Sequence, residues 1–206
     1  DKCQALLYAA LGGQAGAGAV ADALVGKVTP CGKLAETWPL SYADVPSAAN
    51  FAGKKKTVEY REGLYIGYRY FDTVQKPVRV PFGYGLSYTT FEYSDMVANE
   101  RGVSIAVKNT GTATGTEIVQ LYVSKKDGQI FRPAKELKGF ARVTLASGEK
   151  QRIAIMLDDK AFRFWNMKAN RWEIEGGEYE LLVGASVEDI RLKDTITVRG
   201  TATVHP

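Results

Sequence analysis

The second half of the chain alternates hydrophobic and polar positions with a period of two. This alternation predicts strands that bury one face, because successive side chains of a strand point to opposite sides of the sheet. Turn-forming residues at 109–111, 126–128, 147–148 and 176–177 separate the runs. The alternating sets are Val103, Ile105 and Val107; Val119, Leu121 and Val123; Ile153, Ile155 and Leu157; Tyr179, Leu181 and Val183; and Ile196 and Val198. We therefore predict an all-β, immunoglobulin-like sandwich of about seven strands over residues 88–206, with Val107, Leu121, Ile155 and Leu181 facing inward.

The first 40 residues have a different pattern, typical of an α/β protein. Residues 5–11 form a continuous apolar run, which predicts a strand buried on both faces. After a glycine turn, apolar residues recur at helical spacing and predict a helix that stops near Gly26. Residues 33–40 read as a further strand. Residues 1–40 are thus predicted to be an α/β fragment, too small to enclose a core of its own.

Residues 41–87 connect these two regions and are rich in proline, glycine and aromatic residues. Residues 60–72 are especially dense in Tyr, Phe and Arg. Aromatic side chains dominate buried contacts, so we interpret this segment as an irregular strap packed against a large surface, with interdomain packing favoured. We call residues 60–72 the aromatic strap.

Charge and hydropathy argue against two kinds of partner. The formal net charge is only +4, and basic residues are scattered, with the densest run at 54–56. A nucleic-acid-binding face would carry clustered basic residues, so no nucleic-acid partner is expected. The longest apolar stretch, residues 5–11, is too short to span a bilayer, so no membrane partner is expected either. Residue 1 is Asp, which suggests a processed or cut piece and leaves localisation open between cytoplasm and export.

Little catalytic chemistry can be assigned to these residues. The single histidine, His205, is next to the last residue, so Ser-His-Asp, Cys-His and His-rich metal sites are not expected, nor is a cofactor. Residues 12–16 lack the Lys and Ser/Thr of a phosphate-binding loop. Cys3 and Cys31 are expected to be free, buried thiols, and a single disulfide between them is the alternative. Carboxylates that can hydrolyse a glycoside in principle are Glu36, Glu62, Asp72, Asp158 and Asp159, but each is better read as structural.

Several motifs resemble those of family 3 glycoside hydrolases. Residues 13–16 and 21–39, residues 62–72 (EGLYIGYRYFD) and residues 82–91 (FGYGLSYTTF) are similar to motifs of that family. Residues 119–123, 132–140 (RPAKELKGF) and 183–186 resemble its fibronectin type III-like domain. Two departures are Thr29, where the family often has Asn, and Cys31, where it often has Ser. The motifs cover nearly the whole chain in the family's order.

The resemblance implies a three-part enzyme with a TIM-like barrel, an α/β sandwich domain and a fibronectin type III-like domain. The chain would hold the end of the α/β sandwich (1–40), an aromatic-rich linker that contains the strap (41–87) and the fibronectin type III-like domain (88–206). The family's catalytic Asp and Glu have no counterpart here, so no catalytic residue is carried over. We expect residues 1–85 to pack against a second polypeptide that holds the barrel and the remaining α/β strands. Tyr65, Tyr68 and Tyr70 are the expected anchors, and homo-oligomerisation is left open.

Two readings of function remain. The first is the C-terminal portion of a retaining β-glucosidase, or of a β-xylosidase of the same family, acting on a β-glycoside substrate. The alternative is a non-catalytic carbohydrate-binding or adhesion module. Gln14 is the one candidate substrate-binding residue, because ligands gather beyond the carboxyl ends of strands in open α/β sheets. A structural role for Gln14 at the start of the helix is the competing interpretation.

Overall fold

The computed structural model describes residues 3–51 and 56–201, in which eleven strands and two helices are formed. The helices are α1 (Gly16–Leu24) and α2 (Tyr68–Thr73). The strands are β1 (Trp38–Pro39), β2 (Val78–Val80), β3 (Phe91–Asn99), β4 (Gly102–Asn109), β5 (Gly115–Ser124), β6 (Glu136–Leu145), β7 (Lys150–Met156), β8 (Arg163–Asn166), β9 (Arg171–Ile174), β10 (Gly177–Gly184) and β11 (Ile190–Val198).

Seven of these strands form a two-layer antiparallel sandwich. One sheet has the order β11-β10-β5-β6 and the other the order β3-β4-β7. The core lies between the sheets, where Val107, Leu121 and Leu181 are fully buried and Ile155 is 4% exposed. Along the sides, β11 contacts β3 and β6 contacts β7, so the two sheets meet at both edges. The β-sandwich predicted from the alternating pattern is confirmed, with all four named residues inward.

A separate hairpin, β8 paired with β9, stands beside the sandwich. Trp165 and Trp172 are directly opposite each other across this hairpin, with ring centroids 5.5 Å apart in an edge-to-face arrangement. A two-stranded ribbon is marginally stable by itself, and cross-strand aromatic pairs supply part of what it lacks. The hairpin is therefore held by its own side chains as well as by the chain on either side.

Residues 1–40 depart from the predicted strand-helix-strand unit. The helix is confirmed as α1 and ends before Gly26, which has a φ of 74°. However, residues 5–11 pair with no strand in the described ranges and are exposed. Of residues 33–40, only Trp38–Pro39 form a strand, paired with β2. Within this chain residues 5–11 therefore form no strand, and their pairing with strands of another polypeptide stays a prediction, while the strand predicted at 33–40 is wrong except for Trp38–Pro39.

The aromatic strap crosses the outer face of the four-stranded sheet. Alternate residues of β5 point to opposite faces, so Leu121 enters the core while Gln120 and Tyr122 point outward. Gln120 and Tyr122 are nonetheless 3% and 0% exposed, because the strap and its flanking loops cover them. The strap is also more regular than predicted, since its last part forms helix α2. Both faces of β5 are therefore buried within this one chain.

Candidate functional site

Exposed apolar side chains are concentrated in the first 88 residues. Among the large hydrophobic residues that are exposed in the described ranges, eighteen lie before residue 89 and seven after it. The early set includes Leu6, Leu11, Leu24, Val25, Leu64 and Ile66. Exposed apolar side chains mark interaction sites when many lie in one region, whereas single ones are normal on a protein surface. We call this surface the exposed apolar face, and it is the candidate functional site of the chain.

The most exposed part of this face is residues 3–28. Leu11 is fully exposed and Val25 is 77% exposed, and of the apolar residues of α1 only Ala23 is buried. Side-chain contacts tie the segment to the rest of the chain. The Tyr88 hydroxyl donates to the Ala23 carbonyl at 2.9 Å, and the Tyr8 ring meets the Trp38 ring edge-on at 5.1 Å. Just beyond, the Thr29 hydroxyl donates to the Thr114 carbonyl at 3.0 Å.

Gln14 lies in the turn that leads into α1 and is exposed. The residue at the N-terminal cap of the helix is Ala15, and no side chain caps the helix. The turn closes instead through the backbone, with the Gly16 amide donating to the Gly13 carbonyl at 2.9 Å. The geometry thus leaves the Gln14 side chain on the surface at the edge of the exposed apolar face. Its role as a substrate contact stays a prediction.

Helix α2 fixes the aromatic strap to the sandwich. The Tyr68 ring stacks on Phe82 at 4.6 Å, and its hydroxyl accepts a hydrogen bond from the Leu137 amide at 2.8 Å. Asp72 pairs with Lys135 at 2.7 Å, and Arg69 with Glu136 at 3.1 Å. These contacts lie within one chain. The expectation that Tyr68 anchors a second polypeptide is therefore wrong, because its ring and hydroxyl are both engaged by this chain's sandwich.

Tyr65 and Tyr70 are half-buried and differ from Tyr68 in their contacts. The Tyr65 ring lies 5.2 Å from the Phe131 ring, while its hydroxyl is buried without a hydrogen-bond partner among the described residues. Burial raises the pKa of that hydroxyl. The Tyr70 ring packs edge-on against Phe71 at 5.3 Å. On either side of Tyr65, Leu64 and Ile66 are more than 60% exposed, so these two aliphatic residues present free apolar surface.

A buried ion pair joins the α/β segment to the sandwich. Lys33 Nζ lies 3.0 Å from Glu117 on β5, and both side chains are almost fully buried. The same ammonium group donates to the Gly85 carbonyl at 3.0 Å. Around it, the Leu34 amide donates to the Tyr84 carbonyl, and the Gly83 amide donates to the Leu34 carbonyl. Sequence reasoning missed this pair, because a lysine and a glutamate 84 positions apart give no local pattern.

A second buried contact is made by one glutamine amide. Gln120 Nε2 donates to the carbonyl of Gly83 at 3.0 Å and to that of Ala185 at 2.7 Å. Its Oε1 accepts from the Tyr122 hydroxyl at 2.6 Å. Gly83 has a φ of 79°, and a Cβ atom there would overlap the Gln120 amide. We call this group the Gln120 clamp; it fixes the loop after β2 against the sandwich.

The carboxylates considered for glycoside hydrolysis have local structural partners. Glu36 accepts from Trp38 Nε1 at 3.0 Å, and Asp72 pairs with Lys135. Asp158 caps a 3₁₀ turn by accepting from the Lys160 amide, and Asp159 pairs with Arg163. The two aspartates thus stand at the start of a 3₁₀ turn. For Glu62 the structure gives only a half-buried position at the start of the strap.

The cysteines and the helices add no chemistry to the site. Cys3 and Cys31 are free, but Cys3 is exposed and Cys31 half-buried, so the expectation of buried thiols is wrong. In the described part of the chain, no group of three or more His, Cys, Asp or Glu side chains is arranged to hold a metal ion. Neither described helix has the length and apolarity needed to cross a bilayer.

Two protein-family models match the chain. Residues 1–68 match the glycosyl hydrolase family 3 C-terminal domain, and residues 117–187 match the fibronectin type III-like domain. The chain corresponds to the C-terminal part of a family 3 glycoside hydrolase. The resemblance drawn from the sequence motifs is thereby confirmed. The domain boundaries at residues 40 and 87 remain predictions.

Relatives align along the whole chain but are much longer than it. The chain is 46% identical to "Thermostable beta-glucosidase B" of Acetivibrio thermocellus and 43% identical to "Exo-alpha-(1->6)-L-arabinopyranosidase" of Bifidobacterium breve. Each alignment covers 100% of this chain and 28% of the relative. The chain therefore spans a little over a quarter of the length of these relatives.

Solved structures agree with this placement. The Bifidobacterium adolescentis family 3 β-glucosidase superposes with a TM-score of 0.88 at 42% identity, over 94% of this chain and 29% of that one. The Kluyveromyces marxianus β-glucosidase in complex with glucose gives a TM-score of 0.83, over 88% of this chain and 23% of that one. The family 3 C-terminal fold is thus shared across bacterial and yeast enzymes.

Proposed function

We propose that this chain is the C-terminal portion of a retaining β-glucosidase that removes terminal, non-reducing β-D-glucosyl residues. The observation that carries the proposal is alignment of the complete chain, at 46% identity, with a protein named as a β-glucosidase. The chain supplies structural support, and the catalytic Asp and Glu lie outside it. A free-standing binding or adhesion module is less well supported, since such a module has no use for a large exposed apolar face.

Retaining hydrolysis needs two carboxyl groups with distinct roles. One attacks the sugar to form a glycosyl-enzyme, and the other donates a proton to the leaving group and then activates water. In this chain Asp72 is held by Lys135, Asp159 by Arg163 and Asp158 by a turn amide, so each is committed to the local fold. This supports a division in which these residues stabilise the local fold while the chemistry is done elsewhere.

The partner in this proposal is the rest of the same enzyme, as a second polypeptide that holds the barrel and the remaining α/β strands. Residues 5–11 would pair with strands of that partner, which would also cover Leu24 at the end of α1 and Val25 just after it. A Leu24→Asp substitution should then weaken association at least about 10-fold, because it places a charge in an apolar contact. Val97→Asp is the matched control, since Val97 is 60% exposed on β3 of the sandwich. Equal association of both variants with the barrel part would contradict the proposed docking surface.

Gln14 would contact the sugar site or its outer edge. Gln14→Ala should raise KM for an aryl β-glucoside with little change in protein stability, because the side chain is exposed and caps no helix. Gln151→Ala, on the exposed side of β7, is the matched control. An unchanged KM in the Gln14 variant would remove Gln14 from the proposed site.

Activity measurements test the proposal as a whole. The purified 206-residue chain alone should not hydrolyse an aryl β-glucoside, while the chain together with the barrel part should do so. Intact-mass analysis of the purified sample identifies any larger companion. Full turnover by the isolated chain would show that the catalytic pair lies within it. No turnover by the assembled protein on any aryl β-glycoside would contradict the enzymatic function.

A second activity is favoured by one specific observation. Two relatives, 43% and 44% identical, are named as exo-α-(1→6)-L-arabinopyranosidases. Comparison of aryl β-D-glucopyranoside and aryl α-L-arabinopyranoside turnover by the assembled protein separates the two activities. Higher kcat/KM on the arabinoside would replace the proposed substrate while retaining the proposed reaction class.

A further inference from the structure

One loop of the sandwich carries a large apolar side chain that is mostly in water. The loop joins β5 to β6, and its Phe131 is 80% exposed. The Tyr65 ring of the aromatic strap lies 5.2 Å from the Phe131 ring, with 32° between the two ring planes. The function proposed above assigns the docking surface to residues 1–85, so it makes no use of this loop.

The loop is fixed at its base by a buried ion pair. Arg132 Nη2 lies 2.9 Å from Glu175 Oε2, and only 14% and 6% of the two side chains are exposed. The other carboxylate oxygen of Glu175 accepts from the Gln129 amide at 2.6 Å. The Arg132 guanidinium also lies over the Phe164 ring at 5.2 Å. Residues on both sides of Phe131 are therefore held by the sandwich, and the backbone that carries this ring has little freedom.

The residues that follow the loop bind helix α2, in which the aromatic strap ends. The Ala134 amide donates to the Thr73 hydroxyl at 2.9 Å, and Lys135 pairs with Asp72 at 2.7 Å. Both contacts involve the motif at residues 132–140, whose role the proposed function leaves open. The motif holds the strap beside the loop, so the two segments form one fixed surface.

The strap continues the apolar surface of the loop. Leu64 and Ile66, on either side of Tyr65, are 62% and 66% exposed. Because Phe131 packs against Tyr65, an aromatic ring of the sandwich adjoins the part of the strap that carries these two aliphatic side chains. Aromatic side chains with apolar neighbours are common anchors of protein interfaces. An anchor that is already held in place also loses less conformational entropy on binding.

The occupant that fits this surface is the rest of the same enzyme. The surface is apolar and continuous with the strap, which the proposed function already places against that partner. The chain covers 28% of each of the two relatives described above, so most of each relative has no counterpart here. A polypeptide of that size can cover the loop and the strap together.

We propose that the loop between β5 and β6 is a further part of the docking surface for this partner. Phe131 is its contact residue, and the Arg132–Glu175 pair is the group that positions it. The inference rests on the proposed function, which supplies the partner, and it extends the docking surface from residues 1–85 into the sandwich. The fibronectin type III-like domain then contacts the partner directly as well as through the strap.

Binding of the 206-residue chain to the barrel part of the enzyme, measured by titration calorimetry, tests the contact. Phe131→Asp should raise Kd at least about 10-fold, because it places a charge in an apolar contact. The variant should fold, since the side chain is 80% exposed. Val97→Asp is the matched control, because Val97 is 60% exposed on β3 of the other sheet, and it should leave Kd unchanged.

Glu175→Gln tests the positioning role in a double-mutant cycle with Phe131→Ala. The substitution keeps the size of the side chain and removes the charge that holds Arg132. It should raise Kd about 3-fold when Phe131 is present and have no effect in the Phe131→Ala background. An equal effect in both backgrounds would mean that the pair acts through overall stability, and would overturn its positioning role.

The outcomes separate this inference from the proposed docking surface of residues 1–85. Weaker binding of Phe131→Asp than of Val97→Asp supports the inference, whatever the result for Leu24→Asp. Weaker binding of Leu24→Asp alone overturns the inference and retains the proposed docking surface. Failure of the wild-type chain to bind the barrel part would overturn both. Self-association of the isolated chain that Phe131→Asp abolishes, with unchanged binding to the barrel part, would assign the loop to a second copy and overturn the inference.

Discussion

At the scale of single residues, the joint between the two parts of the chain depends on buried polar groups. Lys33, Glu117 and Gln120 are all nearly inaccessible, and each is bonded across the joint. The alternating pattern identified the inward residues of β5 but gave no reason to bury Gln120 or Tyr122 on its outer face. That face is covered by a segment more than 30 positions earlier, and a period of two carries no information about such long-range cover.

The Lys33–Glu117 pair gives the first residue-scale prediction. Lys33→Met should lower the free energy of unfolding by about 3–5 kcal/mol, because it leaves the Glu117 carboxylate buried without its counter-charge. Urea denaturation measures the loss. Lys108→Met, at an exposed position of β4, should change stability by less than about 0.5 kcal/mol. The double variant Lys33→Met with Glu117→Leu should recover part of the loss; a single variant as stable as wild type would show that the pair contributes little.

Tyr93 provides a pH-dependent prediction. Burial raises the pKa of the Tyr93 hydroxyl, whose ring lies under the Arg191 guanidinium at 4.6 Å. The folded protein therefore keeps this proton above pH 10.0, where the unfolded chain loses it, so the stabilisation is complete below pH 10 and declines as pH rises above it. Tyr93→Phe should reduce the loss of stability above pH 10 by up to about 1.4 kcal/mol per pH unit.

The control for this experiment is Tyr60→Phe, because Tyr60 is 93% exposed. Denaturation midpoints at pH 7, 9 and 10.5 compare the two variants. At pH 7 Tyr93→Phe should be about as stable as wild type, since its hydroxyl has no hydrogen-bond partner among the described residues. Identical alkaline profiles for Tyr93→Phe and wild type would contradict a raised pKa.

At the scale of secondary-structure elements, prediction from the sequence succeeded for elements whose buried faces are covered by other parts of this chain. Strands β4, β5 and β10 were predicted from alternation because both sheets that bury them are present. The run at 5–11 has a strand composition but no neighbour in the described ranges with which to pair. Helix α2 was not predicted from the sequence. Its aromatic residues favour strands in general, and packing on the sandwich overrides that preference.

The β8–β9 hairpin yields a prediction at this scale. Trp172→Ala should destabilise the hairpin by about 0.5–1.5 kcal/mol, because it removes the edge-to-face partner of Trp165. Amide hydrogen exchange should increase in β8 and β9 while Leu181 in the core stays protected. Met167→Ala, at the exposed tip of the hairpin, should leave exchange unchanged. Faster exchange throughout the sandwich would mean that the hairpin and the core unfold as one unit.

At the scale of the whole molecule, the chain has one hydrophobic core and one large uncovered surface. The core cluster draws its buried residues from Tyr93 to Val198, and among the described residues before 89 only Ala23 and Phe71 join the buried hydrophobic set. The sequence predicted this asymmetry, because residues 1–40 read as half of a larger α/β unit. The sequence did not predict how firmly this α/β part is attached to the sandwich. The attachment depends on the Lys33–Glu117 ion pair and the Gln120 clamp.

Fragment folding tests this division. A fragment of residues 88–201 should fold and unfold cooperatively, because it holds the complete core cluster. A fragment of residues 1–87 should show neither cooperative unfolding nor dispersed amide resonances, since it buries too little apolar surface to offset its conformational entropy. Circular dichroism and proton–nitrogen NMR spectra measure both. A cooperatively folding 1–87 fragment would mean that the exposed apolar face belongs to an independently stable domain.

Because Gly83 lies so close to Gln120, the residues that evolution can accept at one of these two distant positions depend on the residue at the other. A side chain at 83 would collide with the Gln120 amide and would also have to adopt a left-handed backbone. A shorter residue at 120 would relieve the collision but leave the Gly83 and Ala185 carbonyls without their donor. A substitution at either position alone should therefore destabilise this contact. Among related sequences, we expect the two residues to be retained together or replaced together.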